Sequence, residues 1–192
     1  GEDLVDAKEA IDAAASNETT AIQGKTWYYK GMIYQLLSKD ALLSKTDASY
    51  TATALASFEK SISLEDKKFR NQEDALNFMR AISADIFNSG VEKYQNADFE
   101  GAYKDFSSMK AINTSLEKNG VELVVDTERT ISNAASSAEQ AGMTKEAIAA
   151  YEELLTYSKD ANNYRFLASL YKKSGDKVKA MKVLDDAALA HP

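Results

Sequence analysis

Cysteine is missing from the 192 residues, and proline and histidine occur once each. Without thiols the chain has no disulfide framework, no thiolate zinc site and no cysteine nucleophile. One histidine, His191, leaves neither a His-based catalytic triad nor a histidine cluster for a metal. Eight glycines and one proline are too few to punctuate a many-stranded β protein, whose tight turns need residues that accept positive φ or preset it. Long helices are therefore the expected element. No run of about 18 apolar residues occurs, so no membrane insertion is expected. Acidic residues outnumber basic ones by 30 to 23, a net charge of −7. That balance argues against nucleic acid and anionic lipid as partners, because neutralising phosphate needs a basic surface. The start, Gly1-Glu2-Asp3-Leu4, has no basic stretch followed by an apolar one, and the lack of cysteine suits a reducing cytoplasm and a bacterial envelope equally.

What the chain does contain is repetition. Tyr164, Leu167, Ala168 and Tyr171 recur at helical spacing, Gly175-Asp176 breaks the run, and Ala180, Leu184 and Ala187 resume it. The same skeleton stands one repeat earlier: Ile131, Ala134, Ala135 and Ala138, then Gly142, then Ala147, Tyr151 and Leu154. The offset is constant, the same from Ile131 to Tyr164, from Gly142 to Gly175 and from Ala147 to Ala180. A weaker copy runs from Ile86, Gly90 and Tyr94 through Asn96-Ala97-Asp98 to Ala102, Phe106 and Met109. The first copy pairs Trp27 to Tyr34 with Ala54 to Ser61, and an insertion absent from the fourth copy separates them. In that insertion Ala41-Leu42-Leu43 suggests lengthened helices and residues 44–47 a loop. The expected organisation is one domain over 1–192, with a lone second-type helix at 4–15 and helix pairs at 24–66, 72–114, 127–160 and 161–192. The lone helix and the uncovered last pair suggest a piece of a longer chain, or a homodimer that covers its own ends.

Trp27, Gly31 and Tyr34 in the first pair, with Ala180, Leu184, Ala187 and Pro192 in the fourth, resemble the tetratricopeptide repeat, a 34-residue helical hairpin. The resemblance implies an all-α fold, a right-handed superhelical solenoid of antiparallel helix pairs. The combination of residues 27–31, 87–90 and 133–135 is similar to such modules in exported proteins of Gram-negative bacteria, which implies a periplasmic or envelope location. In this family the first helix of each pair lines a concave groove where peptides or partner helices dock. On that basis Tyr28 and Met32 in the first pair, and Phe87, Val91 and Tyr94 in the second, form an aromatic and apolar half. Asn88, with Arg129 and Asn133, resembles the positions by which some members of the family clamp a C-terminal carboxylate. Arg129 and Asn133 in the third pair, and Arg165, Ser169, Lys172 and Lys173 in the fourth, form a polar half that ends basic. A rigid aromatic surface beside cations suits a short acidic, amphipathic peptide.

Catalysis finds little support in the sequence. Gly24-Lys25-Thr26 matches the tail of a phosphate-binding loop, but Thr19 stands where that loop needs its first glycine. The expected reading is a helix N-terminus. Glu65-Asp66, Glu152-Glu153 and Asp185-Asp186 lack the loop spacing of a calcium site, and adjacent carboxylates on a helix point about 100° apart. They read as solvated surface. A glycosidase's two carboxylates facing across a cleft is a spatial matter that the sequence leaves open. The expectation is a non-catalytic, protein- or peptide-binding scaffold without metal or cofactor. The alternatives are a structural, self-associating segment and a small-ligand or glycan sensor.

Overall fold

The computed structural model describes residues 2–64 and 69–191. Gly1, the Glu65-Asp66 pair and Pro192 lie outside them. The described residues form nine α-helices and no strand: α1 Glu2–Ser16, α2 Gly24–Lys39, α3 Tyr50–Ser63, α4 Gln72–Gln95, α5 Phe99–Lys118, α6 Thr127–Gln140, α7 Thr144–Tyr157, α8 Ala161–Lys173 and α9 Lys177–Ala190. Neighbouring helices pack in pairs, and the predicted pair boundaries enclose α2 with α3, α6 with α7, and α8 with α9. α5 continues to Lys118, past the boundary expected for its pair. No helix among the described residues is long and apolar enough to cross a membrane.

Two compact units divide the chain, one of Gly1–Ile82 with Lys118–Glu122, the other of Ser83–Glu117 with Leu123–Pro192. The boundary falls within α4. In the first unit α2 packs against α1 and α3. Gly31 makes the contact with α3 possible, since a Cβ there would lie 2.6 Å from the fully buried ring of Phe58. In the second unit Gly90 of α4 faces Phe106 of α5 in the same way, at 2.9 Å. The chain takes a longer path from Gly31 to Phe58 than from Gly90 to Phe106, and the excess is the insertion of the first pair.

That insertion does not lengthen α2 through Ala41-Leu42-Leu43. Asp40 turns the chain to extended backbone, and its carboxylate accepts from the Leu42 and Leu43 amides, both at 2.9 Å, which favours a turn over further helix. A single 3-10 turn, Leu43–Lys45, follows.

The sequence repeat is visible in backbone geometry. Gly142 and Gly175 end α6 and α8 with φ of 72° and 87°, the left-handed conformation glycine accepts without penalty. In both turns the next amide reaches back into the last turn of the helix, Met143 to Ala138 and Asp176 to Tyr171. Ala97 holds the equivalent position after α4 at φ 62°, so there the turn forms without glycine. Aspartates start the following elements: the carboxylates of Asp126, Asp160 and Asp176 accept amides in the first turns of α6, α8 and α9.

The core of the second unit gathers Ile131, Ala135, Ala138, Tyr151, Leu154, Tyr164, Leu167, Ala168 and Tyr171, all at the spacings read from sequence. Leu184 departs from its expected inward place. It is 48% exposed, and Val183, its neighbour about 100° around the helix, takes the core position.

Candidate functional site

In the first unit the expected groove residues are largely covered. Tyr28 is 6% exposed, so its assignment as a groove anchor is corrected. Its ring packs between Phe58, Phe69 and Phe78, with centroids 5.7 to 6.3 Å away, and burial raises its phenolic pKa above the ordinary value. Met32 is half-buried. The open side of α2 is instead Tyr29 and Leu36, two turns apart and both exposed, with Lys25 over the Tyr29 ring. Periodicity could have found this stripe, because Tyr29 is the immediate neighbour of the residue chosen.

The other ten expected residues belong to the second unit. Val91, Tyr94 and Asn133 come together in a cleft of about 290 Å³, completed by Gln95, Phe106 and Ser136. α4 supplies Val91 and Tyr94 one turn apart on one stripe, while α6 supplies Asn133 and Ser136, also one turn apart, on its open face. The Tyr94 hydroxyl lies 3.1 Å from Ser136 Oγ, which ties α4 to α6 and preforms the cleft. Phe87 packs against Phe106, centroids 5.9 Å apart, and so backs the cleft wall rather than lining it. Asn88 is exposed on α4 but does not line the cleft, and Arg129 is exposed in the first turn of α6. Phe106 is the contributor the sequence reading assigned only to the core. Its ring serves both purposes because Gly90 leaves room beside it.

α8 carries the basic end. Arg165, Ser169, Lys172 and Lys173 are all exposed and fall within about 100° of arc. The Arg165 guanidinium lies 5.1 Å over Phe166, which stacks on Tyr151 at 5.6 Å. Tyr151 in turn donates to Glu139 of α6 at 2.9 Å, and burial together with that bond pushes its pKa up, so the donor proton is retained. Arg165 is thus held on a planar support, which reduces the entropy lost when it meets a carboxylate. Among the described residues, Lys172 and Lys173 have no carboxylate partner.

The acidic pair Glu152-Glu153 is not merely solvated. Glu152 accepts from the Tyr171 hydroxyl of α8, and Glu153 pairs with Lys110 of α5 at 2.5 Å. Burial and the bond to Glu152 push Tyr171 up to about 12. Gly24-Lys25-Thr26 opens α2, as its reading as a helix start requires. No group of three or more His, Asp or Glu side chains among the described residues is placed to hold a metal ion. Two further hollows lie in the second unit, one of about 360 Å³ between α5, α6 and α7 and one of about 480 Å³ beside α7, α8 and α9. Neither contains a predicted site residue.

No protein-family model matches this chain, and no curated protein matches it.

Proposed function

We propose that the protein is a non-catalytic scaffold of the tetratricopeptide-repeat kind, a superhelical solenoid whose second unit binds a short acidic, amphipathic peptide of another protein. An apolar side chain of the peptide enters the cleft between α4 and α6, and its carboxylates meet Arg165, Lys172 and Lys173 on α8. The preformed cleft beside Tyr94 is the observation that carries this reading. A volume of about 290 Å³ suits one large side chain and sits at the floor of the roughly 300–1,000 Å³ typical of small-molecule sites. That favours a peptide over the small-ligand or glycan reading. Asn133 and Gln95, each with an amide donor and acceptor, supply the groups that satisfy a peptide backbone. A bacterial envelope location rests on the sequence resemblance alone and belongs to the same proposal.

Selection from a random peptide library tests the assignment. Sequences enriched on the wild type are expected to combine an aromatic or aliphatic anchor with Asp or Glu. They are expected to bind about tenfold or more weakly to Tyr94→Ala and to a variant with Arg165, Lys172 and Lys173 changed to Glu. Tyr28 has no place in this test, because its truncation would open the core. Enriched peptides that bind the wild type and both variants equally, or that carry net positive charge, would refute the proposal.

A further inference from the structure

The hollow between α5, α6 and α7 has a volume of about 360 Å³, inside the roughly 300–1,000 Å³ typical of small-molecule sites. Lys110 of α5 pairs with Glu153 of α7 at 2.5 Å, and both line the hollow. Seven positions earlier on each helix, about 10 Å back along the axis, Tyr103 and Glu146 line it too. Between these two rungs the α7 wall is Ala149 and Ala150, and α6 contributes the buried Ile131 and Ala134. The repeat does not require those small residues, since the next copy has Lys182 and Val183 where α7 has Ala149 and Ala150.

Charge in the hollow does not cancel. Lys110 is engaged by Glu153, which leaves the Glu146 carboxylate as an uncompensated negative charge. Glu146 and the hydroxyls of Tyr103 and Ser107 are all half-buried, and none meets a hydrogen-bond partner or counter-charge among the described residues. One carboxylate and two hydroxyl oxygens beside an alanine wall make an acceptor set for an ammonium, which has three donors and no acceptor. An anion would meet the excess negative charge, and a purely apolar molecule would cover Glu146 without satisfying it.

We infer that this hollow binds a small primary amine with an apolar body. Its ammonium donates to Glu146 and to the Tyr103 and Ser107 hydroxyl oxygens, and its body lies along Ala149 and Ala150 toward the Lys110–Glu153 pair. That pair is already neutral, so the far end of the ligand carries no charge. The hollow shares only the Phe106 ring with the α4–α6 cleft, and the assignment rests on no part of the peptide reading there.

Phenethylamine is the probe, titrated against the intact, isotope-labelled protein. Saturable shifts of the Ser107, Ala149 and Ala150 amides are expected, with a dissociation constant of about 1 mM. Phenethyl alcohol, which lacks the charge, is expected to bind about tenfold more weakly, and hydrocinnamate, which reverses it, to leave those amides unmoved. Glu146→Gln keeps the side-chain shape and is expected to weaken the amine about tenfold. Ala149→Leu fills the hollow and is expected to abolish binding with the helical circular dichroism unchanged, because α9 carries the longer Lys182 at the matching position. No saturable shift in the wild type, equal binding of the alcohol or the acid, or equal amine binding by either variant would overturn the inference. Tighter binding of a short peptide beginning with phenylalanine would assign the site to a protein N-terminus instead.

Discussion

Gly31 and Gly90 are small because aromatic rings occupy the space a side chain would need. A Cβ at Gly31 would sit 2.6 Å from Phe58, and that ring is fully buried and cannot swing aside. Gly31→Ala would gain about 1 kcal/mol of helix propensity. The overpacking it forces costs about 1–3 kcal/mol, so a lower denaturation midpoint is expected. Gly90→Ala should lose less, because its nearest contact is longer at 2.9 Å. Chemical denaturation of both variants checks the order, and an increase in stability at Gly31 would contradict the contact. At this scale the sequence was legible where periodicity was enough, as at Tyr164, Leu167 and Tyr171. It was not legible for Tyr28. Which edge of the α2 stripe is covered is decided by Phe69 and Phe78, which lie beyond α3 in the chain, and no local pattern carries that. The same holds for Leu184 and Val183, neighbours whose inward or outward place depends on how α9 rolls against α8.

Between elements, polar contacts set how helices meet. Asp12 of α1 accepts from Tyr34 and pairs with Lys30 at 2.8 Å and with Lys8 at 2.9 Å. Partial burial works to raise the Asp12 pKa, but bonds from Lys30, Lys8 and Tyr34 together outweigh it and hold the carboxyl at about 2, against 3.8 for the free group. A depressed carboxyl pKa stabilises the fold fully above the unfolded value, and the benefit is lost as pH falls through the folded one. The docking of α1 on α2 is therefore expected to be intact above about pH 4 and to weaken between about pH 4 and pH 2. The loss is on the order of 1–2 kcal/mol once solvent screening at this partly exposed site is allowed for. Asp12→Asn should remove most of that pH dependence. Amide hydrogen exchange along α1, followed from pH 5 to pH 2 in both proteins, decides it, and identical pH profiles would rule out Asp12 as the cause. The existence of α1 was readable from Ala7, Ile11 and Ala14, while its tie to α2 was not, because a carboxylate's partners on another helix leave no periodic trace. The insertion after α2 was misread for a related reason. Ala41-Leu42-Leu43 has helical composition, but the side chain of Asp40 takes the amides a continuing helix would have used.

Across the molecule, charge and shape are distributed unevenly. The chain carries a net −7, yet the exposed face of α8 presents Arg165, Lys172 and Lys173 with no acid among them. Local positive potential on an acidic protein attracts acidic segments while the overall charge repels polyanions, which favours selectivity over tight non-specific adhesion. The repeat was legible because small residues and turn glycines recur in the chain. The cleft was only half legible: Val91, Tyr94 and Asn133 were named from their helix faces, but Phe106 lies on a second helix of its pair and reads as core. Peptide binding to one face of the second unit is most directly tested by titrating isotope-labelled protein with a library-selected acidic peptide and following backbone amide shifts. The largest changes are expected at Val91, Tyr94, Asn133, Ser136, Arg165 and Lys172. Changes confined to α5, α7 or α9, with those six amides unmoved, would contradict it.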